Sequence, residues 1–134
     1  MSTREVHHSL LQFDHALERL KIAIDATGDA DELQQDGVIQ RFEFTFELMW
    51  KTLKRYLMFL GQPTNNPRDT LKVAFREGLL LQEEQFLAML EDRNVSAHVY
   101  DFETTRRIFQ HIAQQHYQAM HEVAVRLRER LVAK

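Results

Sequence analysis

The sequence predicts an all-α fold, an antiparallel helical bundle of three long helices and two short ones. Three observations predict it. Its 134 residues include only 4 Gly and 2 Pro, so turn-formers are scarce and a few long elements are favoured over many short ones. Apolar residues recur at steps of three and four along most of the chain, which lines one face of a helix. Strand patterns, with apolar and polar residues alternating, are absent. A chain of this length that is 44% hydrophobic suits one domain, residues 1–134, around one core.

The first helix follows from Val6, Leu10, Phe13, Leu17, Leu20 and Ile24, and Gly28 closes it. The second runs from about Asp31 to Leu60. Its core stripe is Val38, Phe42, Phe46, Met49, Leu53, Tyr56 and Leu60, with Trp50 and Leu57 beside it. Phe44 and Leu48 lie off that stripe, and an extra apolar ridge of this kind marks a neighbouring helix or a subunit interface. Gly61 fits a helix C-terminus, and Asn66 before Pro67 fits an N-cap with Pro at the first helical position. A short helix with Leu71, Val73, Ala74 and Phe75 follows and stops at Gly78. A second short helix is expected from about Gln82 to Arg93, with Phe86, Leu87, Met89 and Leu90 apolar. Asp101 caps the last long helix, whose stripe is Ile108, Ile112, Ala119, Val123, Leu127 and Leu131, with Phe109, Tyr117 and Met120 beside it.

Composition narrows the function. The chain has no Cys, which excludes disulfides and thiolate metal sites. It has no apolar run long enough to span a bilayer and no signal-peptide layout at its start, so a cytoplasmic protein with no membrane association is expected. The net charge of −3 lacks the basic surplus of a protein that holds nucleic acid by neutralising phosphates. That counts against a stoichiometric DNA binder and says little against a nuclease that releases its product.

The stretch EDRNVSAHVYD, Glu91 to Asp101, lies between two helical patterns. Arg93 and His98 stand five positions apart, and Tyr100 follows two later. In an unbroken helix residues five apart diverge. A functional pair here needs the helix to end between them. Asn94 can take a left-handed cap conformation, Ser96 is a weak helix former, and Asp101 starts a new helix. If the connection is extended, His98 and Tyr100 point to the same side.

These residue types suit phosphodiester cleavage without metal. An imidazole can take a proton from a ribose 2′-hydroxyl or give one to the leaving oxygen. A guanidinium keeps its charge and binds two phosphate oxygens at once. Asn94 and Ser96 could add hydrogen bonds. The alternative is structural: Arg93 satisfies the carbonyl end of its helix, His98 is a solvated loop residue, and Tyr100 packs on the bundle end. Arg106 and His111 repeat the spacing inside the last helix, so the spacing alone is not specific.

The segments IQRFEFTFELMWKTLKRYL (39–57), NPRDTLKVAFREGLL and MLEDRNVSAHVYD, in that order, resemble the nucleotidyltransferase substrate-binding family, a branch of the HEPN superfamily of small helical bundles. The resemblance covers about Val38 to Phe109. It implies a homodimer, with two copies of an R–(four to six residues)–H motif meeting at the dimer cleft of a metal-independent ribonuclease. Arg93 and His98 match that motif as catalytic residues, with Asn94 and Ser96 in support. It also implies a toxin–antitoxin pair with a cognate minimal nucleotidyltransferase (MNT), which attaches AMP to the Tyr of R-x-x-x-x-H-x-Y, here Tyr100. The RNA substrate implied is transfer RNA or messenger RNA. An older reading of the same family makes such a chain the non-catalytic substrate-binding subunit of a nucleotidyltransferase.

AMP at Tyr100 would bring phosphate charge beside Arg93 and compete with RNA for it. No cofactor and no metal site are expected, because none of the 7 His stands four residues from another. His7, His8, His15, His111, His116 and His121 are expected at the surface or partly buried. Glu43 and Glu47 read as ion-pair partners on a solvated face, with the option that one of them orients Arg93 or His98. Arg126, Arg128 and Arg130 read as a solvated face, or as an RNA-steering patch together with Arg106 and Arg107.

Overall fold

Four helices start in the same way. A side-chain oxygen of Ser2, Asp31, Asn66 and Asp101 accepts the backbone N–H of the residue three further on, at 3.3, 3.0, 2.8 and 2.8 Å. Each cap satisfies a donor that the first turn leaves unpaired, worth about 1 kcal/mol. The computed structural model describes residues 2–28, 31–98 and 101–132. All regular structure among them is helical: α1 Thr3–Asp25, α2 Glu32–Phe59, α3 Pro67–Arg76, α4 Glu83–Ser96, α5 Phe102–His111, a π-helical turn Ile112–His116, and α6 Tyr117–Val132. The last three form one rod, so three long helices and two short ones are present, as the periodicity predicts.

Two glycines end helices where the chain must turn left-handed. Gly61 has φ +82° and Gly78 φ +77°. In each case the glycine N–H and the next N–H reach back to orphan carbonyls: Gly61 to Met58 and Gln62 to Leu57, Gly78 to Phe75 and Leu79 to Ala74.

Cross-helix contacts give the direction of packing. Ser9 bonds Thr52, Ala16 faces Thr45, and Arg19 O accepts from Arg41, so α1 and α2 run antiparallel. Asp14 pairs with Arg128 and Lys21 lies over Tyr117, so the π turn and α6 run antiparallel to α1. Between these helices, Phe13, Phe42, Phe46, Met49, Leu53 and Tyr56 are fully buried. Each contributes about 1.5–3 kcal/mol of burial free energy.

Some expectations need correction. α4 continues past Arg93 to Ser96, so Asn94 is helical and not a left-handed cap; no described non-Gly residue has positive φ. The apolar contacts of α4 with the core offset the cost of the extra turn. His116 is buried, not superficial. Phe44 is 63% exposed while Leu48, the other residue of that ridge, is half-buried against the core, so among the described residues the ridge is covered only in part. Arg128 keeps to a solvated face, its side chain 51% exposed, while pairing with Asp14, and Arg130 donates to Glu77 O. No described helix is long and apolar enough to cross a membrane.

Candidate functional site

Phe86, Met89 and Leu90 seat α4 in the core. Arg93, four residues after Met89 and three after Leu90, therefore projects along the same side toward α2. Its Nη2 donates to Glu47 Oε2 at 2.8 Å, its Nη1 to Asn94 Oδ1 at 3.3 Å, and its guanidinium lies 5.7 Å from the centre of the Phe46 ring. The ring face attracts the cation. Among the described residues two of its five N–H donors are used, so an anion could still be bound.

Glu47 is a hub. It also accepts from the Trp50 indole at 3.0 Å and pairs with Lys51 at 3.3 Å. Partial burial pushes its carboxyl up. The hydrogen bonds from Trp50 and Lys51 and the charges of Arg93 and Lys51 outweigh that and hold it below the usual range. Glu47 is thus an ion-pair partner, of Lys51 within α2 and of Arg93 across from it. Glu43 takes a different partner, accepting from Ser96 Oγ at 2.5 Å. Ser96 Oγ also bonds Arg93 O at 2.9 Å. Glu43 and Ser96 line a cleft of about 440 Å³ with Leu33, Asp36, Gly37, Ile39, Gln40 and Thr105.

His98 lies in the turn after α4, exposed, with its N–H on Val95 O at 2.9 Å. The helix thus ends between Arg93 and His98, at Ser96. Among the described residues the His98 side chain makes no hydrogen bond, and the structure does not join it to Arg93 within the chain. Tyr100, the expected AMP acceptor, lies outside the described residues.

Sequence reasoning missed a second cluster. Asp92 Oδ2 contacts His111 Nδ1 at 2.8 Å and His116 Nε2 at 2.7 Å. Burial pushes the Asp92 carboxyl up. Hydrogen bonds and charge from His116 and His111 outweigh it and hold the carboxyl below the usual range. The two histidines are five apart, which in an α-helix separates them by about 140° around the axis. The π turn removes that separation: the Tyr117 N–H bonds Ile112 O, five residues back. Buried positions before and after the turn still follow steps of three and four, so periodicity holds no sign of it.

Residues 8–129 match the family described as "Nucleotidyltransferase substrate binding protein like". A Haemophilus influenzae protein named "Probable ribonuclease HepT" is 33% identical over 81 residues, an alignment spanning 57% of this chain and 56% of that one. The chain thus matches little more than half the length of this curated relative. A crystal structure from Thermus thermophilus superposes with TM-score 0.80 at 33% identity, covering 87% of this chain and 98% of the other. A Haemophilus influenzae structure, described as revealing the fold of a substrate-binding domain of a nucleotidyltransferase, superposes with TM-score 0.61 at 20% identity over 95% and 99% of the two chains, and shares the fold. With nearly the whole chain matched, it belongs to the nucleotidyltransferase substrate-binding-protein-like family.

Proposed function

We propose that the chain is a metal-independent endoribonuclease toxin of the HEPN type, with Arg93 and His98 as its catalytic residues and a second copy of the chain completing the cleft. The observation that carries this reading is the placement of Arg93: an arginine held by Glu47 and Phe46 on the final turns of α4, with His98 just past the helix end. The relative named as a probable ribonuclease supports the same reaction class.

In this mechanism His98 takes the proton of a ribose 2′-hydroxyl, and the oxygen attacks the adjacent phosphorus. The 5′-oxygen leaves and accepts a proton from an imidazolium, and a 2′,3′-cyclic phosphate forms. In the homodimer the second His98 can serve as that acid. Arg93 carries the charge that develops on the phosphoryl oxygens. Asn94 and Ser96 support the geometry of this turn. Tyr100 is the AMP acceptor for a cognate minimal nucleotidyltransferase, whose product would place phosphate against Arg93. The substrate is transfer RNA or messenger RNA.

The test is cleavage of total cellular RNA in EDTA by wild type and His98→Ala, each checked by mass for an unmodified Tyr100. Cleavage by wild type alone is expected. Equal cleavage by His98→Ala would overturn the mechanism. A second reading, a non-catalytic substrate-binding subunit, is favoured by the family description. It requires a stable complex with the nucleotidyltransferase and no cleavage by folded, unmodified wild type.

A further inference from the structure

We propose that Asp92, His111 and His116 form a binding site for a divalent transition-metal ion, zinc by ligand chemistry, that clasps the end of α4 to the last helical rod. The site is separate from the Arg93–His98 chemistry and does not depend on it.

The geometry argues for it in four steps. First, three potential ligand atoms from two separate parts of the chain converge within 4.8 Å of one another. Two imidazoles and one carboxylate are a ligand set that zinc accepts in tetrahedral sites with a fourth, open position. Second, the convergence requires the π turn. Such turns give up regular α-helical hydrogen bonding and are found mostly at functional sites. Here the irregularity has an identifiable result: it brings two residues five apart onto one carboxylate oxygen.

Third, the site is preorganised on one side and accessible on the other. His116 is 2% exposed and stacks on Phe42, with ring centroids 5.6 Å apart and planes 21° apart. Its hydrogen bonding among the described residues goes entirely to Asp92, since Nδ1 has no partner. The His111 side chain is 39% exposed, so an ion and a water ligand can reach the cluster from solvent. Fourth, the required rearrangement is small. Bonds of about 2.0–2.1 Å to a tetrahedral ion place ligand atoms roughly 3.3 Å apart. The N···O distances are 2.7 and 2.8 Å and need to open by about half an ångström, while the two imidazole nitrogens, within 4.8 Å of each other, need to close to that spacing. The exposed His111 can do so without disturbing the core. The ion would take the place of the proton between each imidazole and the carboxylate; a neutral ring keeps its proton by shifting it to the other ring nitrogen, and an imidazolium releases one to solvent.

Tag-free protein stripped with EDTA and returned to chelator-free buffer near neutral pH is titrated with Co²⁺, following visible d–d absorption. A parallel Zn²⁺ titration is followed by calorimetry and thermal unfolding. One ion per chain is expected. A rise in Tm on the order of 5–10 °C is expected once Zn²⁺ exceeds its Kd about a hundredfold. Asp92→Asn and His111→Ala should each weaken binding at least about tenfold, by loss of a direct ligand. His111→Ala is the decisive variant, because it alters the accessible ligand and leaves the buried ring in place. His7→Ala/His8→Ala and His98→Ala should bind as wild type does. Absence of binding to folded wild type would overturn the site, as would binding unchanged in His111→Ala or abolished in His7→Ala/His8→Ala. None of these readouts involves RNA cleavage, so failure here and failure of the ribonuclease reading are separate results.

Discussion

Arg93 and Glu47, 46 positions apart in the chain, meet at 2.8 Å, and the pair ties the end of α4 to the middle of α2. Among the described residues it leaves most guanidinium donors available while restricting where the guanidinium can point. Glu47 is held in turn by Trp50 and Lys51. The pair therefore belongs to positioning more than to stability.

Glu47→Ala tests that distinction. About a third of each side chain is exposed, so the loss in stability should be at most about 1 kcal/mol in urea unfolding. On the proposed ribonuclease reading, RNA cleavage should fall by about tenfold or more, because a freed Arg93 would sample unproductive orientations. Glu47→Gln, which retains an acceptor for Trp50 and Arg93, should recover part of the rate. Full activity in Glu47→Ala would remove the positioning role.

The same carboxyl predicts a pH dependence. Its folded-state value lies below the ordinary 4.5. The unfolded chain therefore takes up the proton at higher pH than the folded one. The contribution of Glu47 is complete above about pH 4.5 and is lost as pH falls through the folded-state value. The stability difference between wild type and Glu47→Gln should thus be larger at pH 7 than at pH 3, and should shrink with added salt. A difference that grows on acidification would contradict this account.

Two glycines should respond with opposite signs. Gly78 has φ +77°, and an added Cβ would lie 3.1 Å from Arg130 Nη2, the group that donates to Glu77 O. Gly78→Ala should cost about 1–2 kcal/mol through the left-handed backbone alone. Gly37 sits inside α2, and nothing lies within 4 Å of the place a Cβ would occupy. Gly37→Ala should stabilise by about 0.5–1 kcal/mol. Thermal unfolding of the two variants side by side checks both signs.

The α1–α2 interface contains a buried polar clamp. Ser9 Oγ and Thr52 Oγ1 are 2.6 Å apart, and Arg55 Nη1 donates to Ser9 Oγ at 3.0 Å. Ser9→Ala removes the partner of both and should cost about 1–3 kcal/mol. Thr52 still has Leu48 O as an acceptor, which favours the lower end of that range. Chemical denaturation that shows no change would mean that water replaces Ser9 without loss.

Much of the fold is legible in the sequence because its signals are local. Asn66–Pro67 and Asp101 start helices by bonds to residues three away, and Gly61 and Gly78 end them by bonds within one turn. The buried faces follow the helical period, so Phe42, Phe46 and Met49 could be assigned to the core without coordinates. The end of α4 was less legible. Asn94 and Ser96 are weak helix formers, but the packing of α4 against the core carries the helix through them to Ser96.

The sequence by itself determined the helical elements, the caps Asn66 and Asp101, the apolar core, and the presence of an Arg and a His on either side of a helix end. Tertiary structure decided the partners. Glu43 and Glu47 look alike along the chain, and only the packing of α4 against α2 gives Ser96 to one and Arg93 to the other. His111 and His116 diverge in any regular α-helix, and only the π turn gathers them on Asp92. The physical reason is common to both. A local signal sets the conformation of a few neighbouring residues, whereas a side-chain cluster depends on the rotation and register of whole helices, which are set by the packing of the entire core.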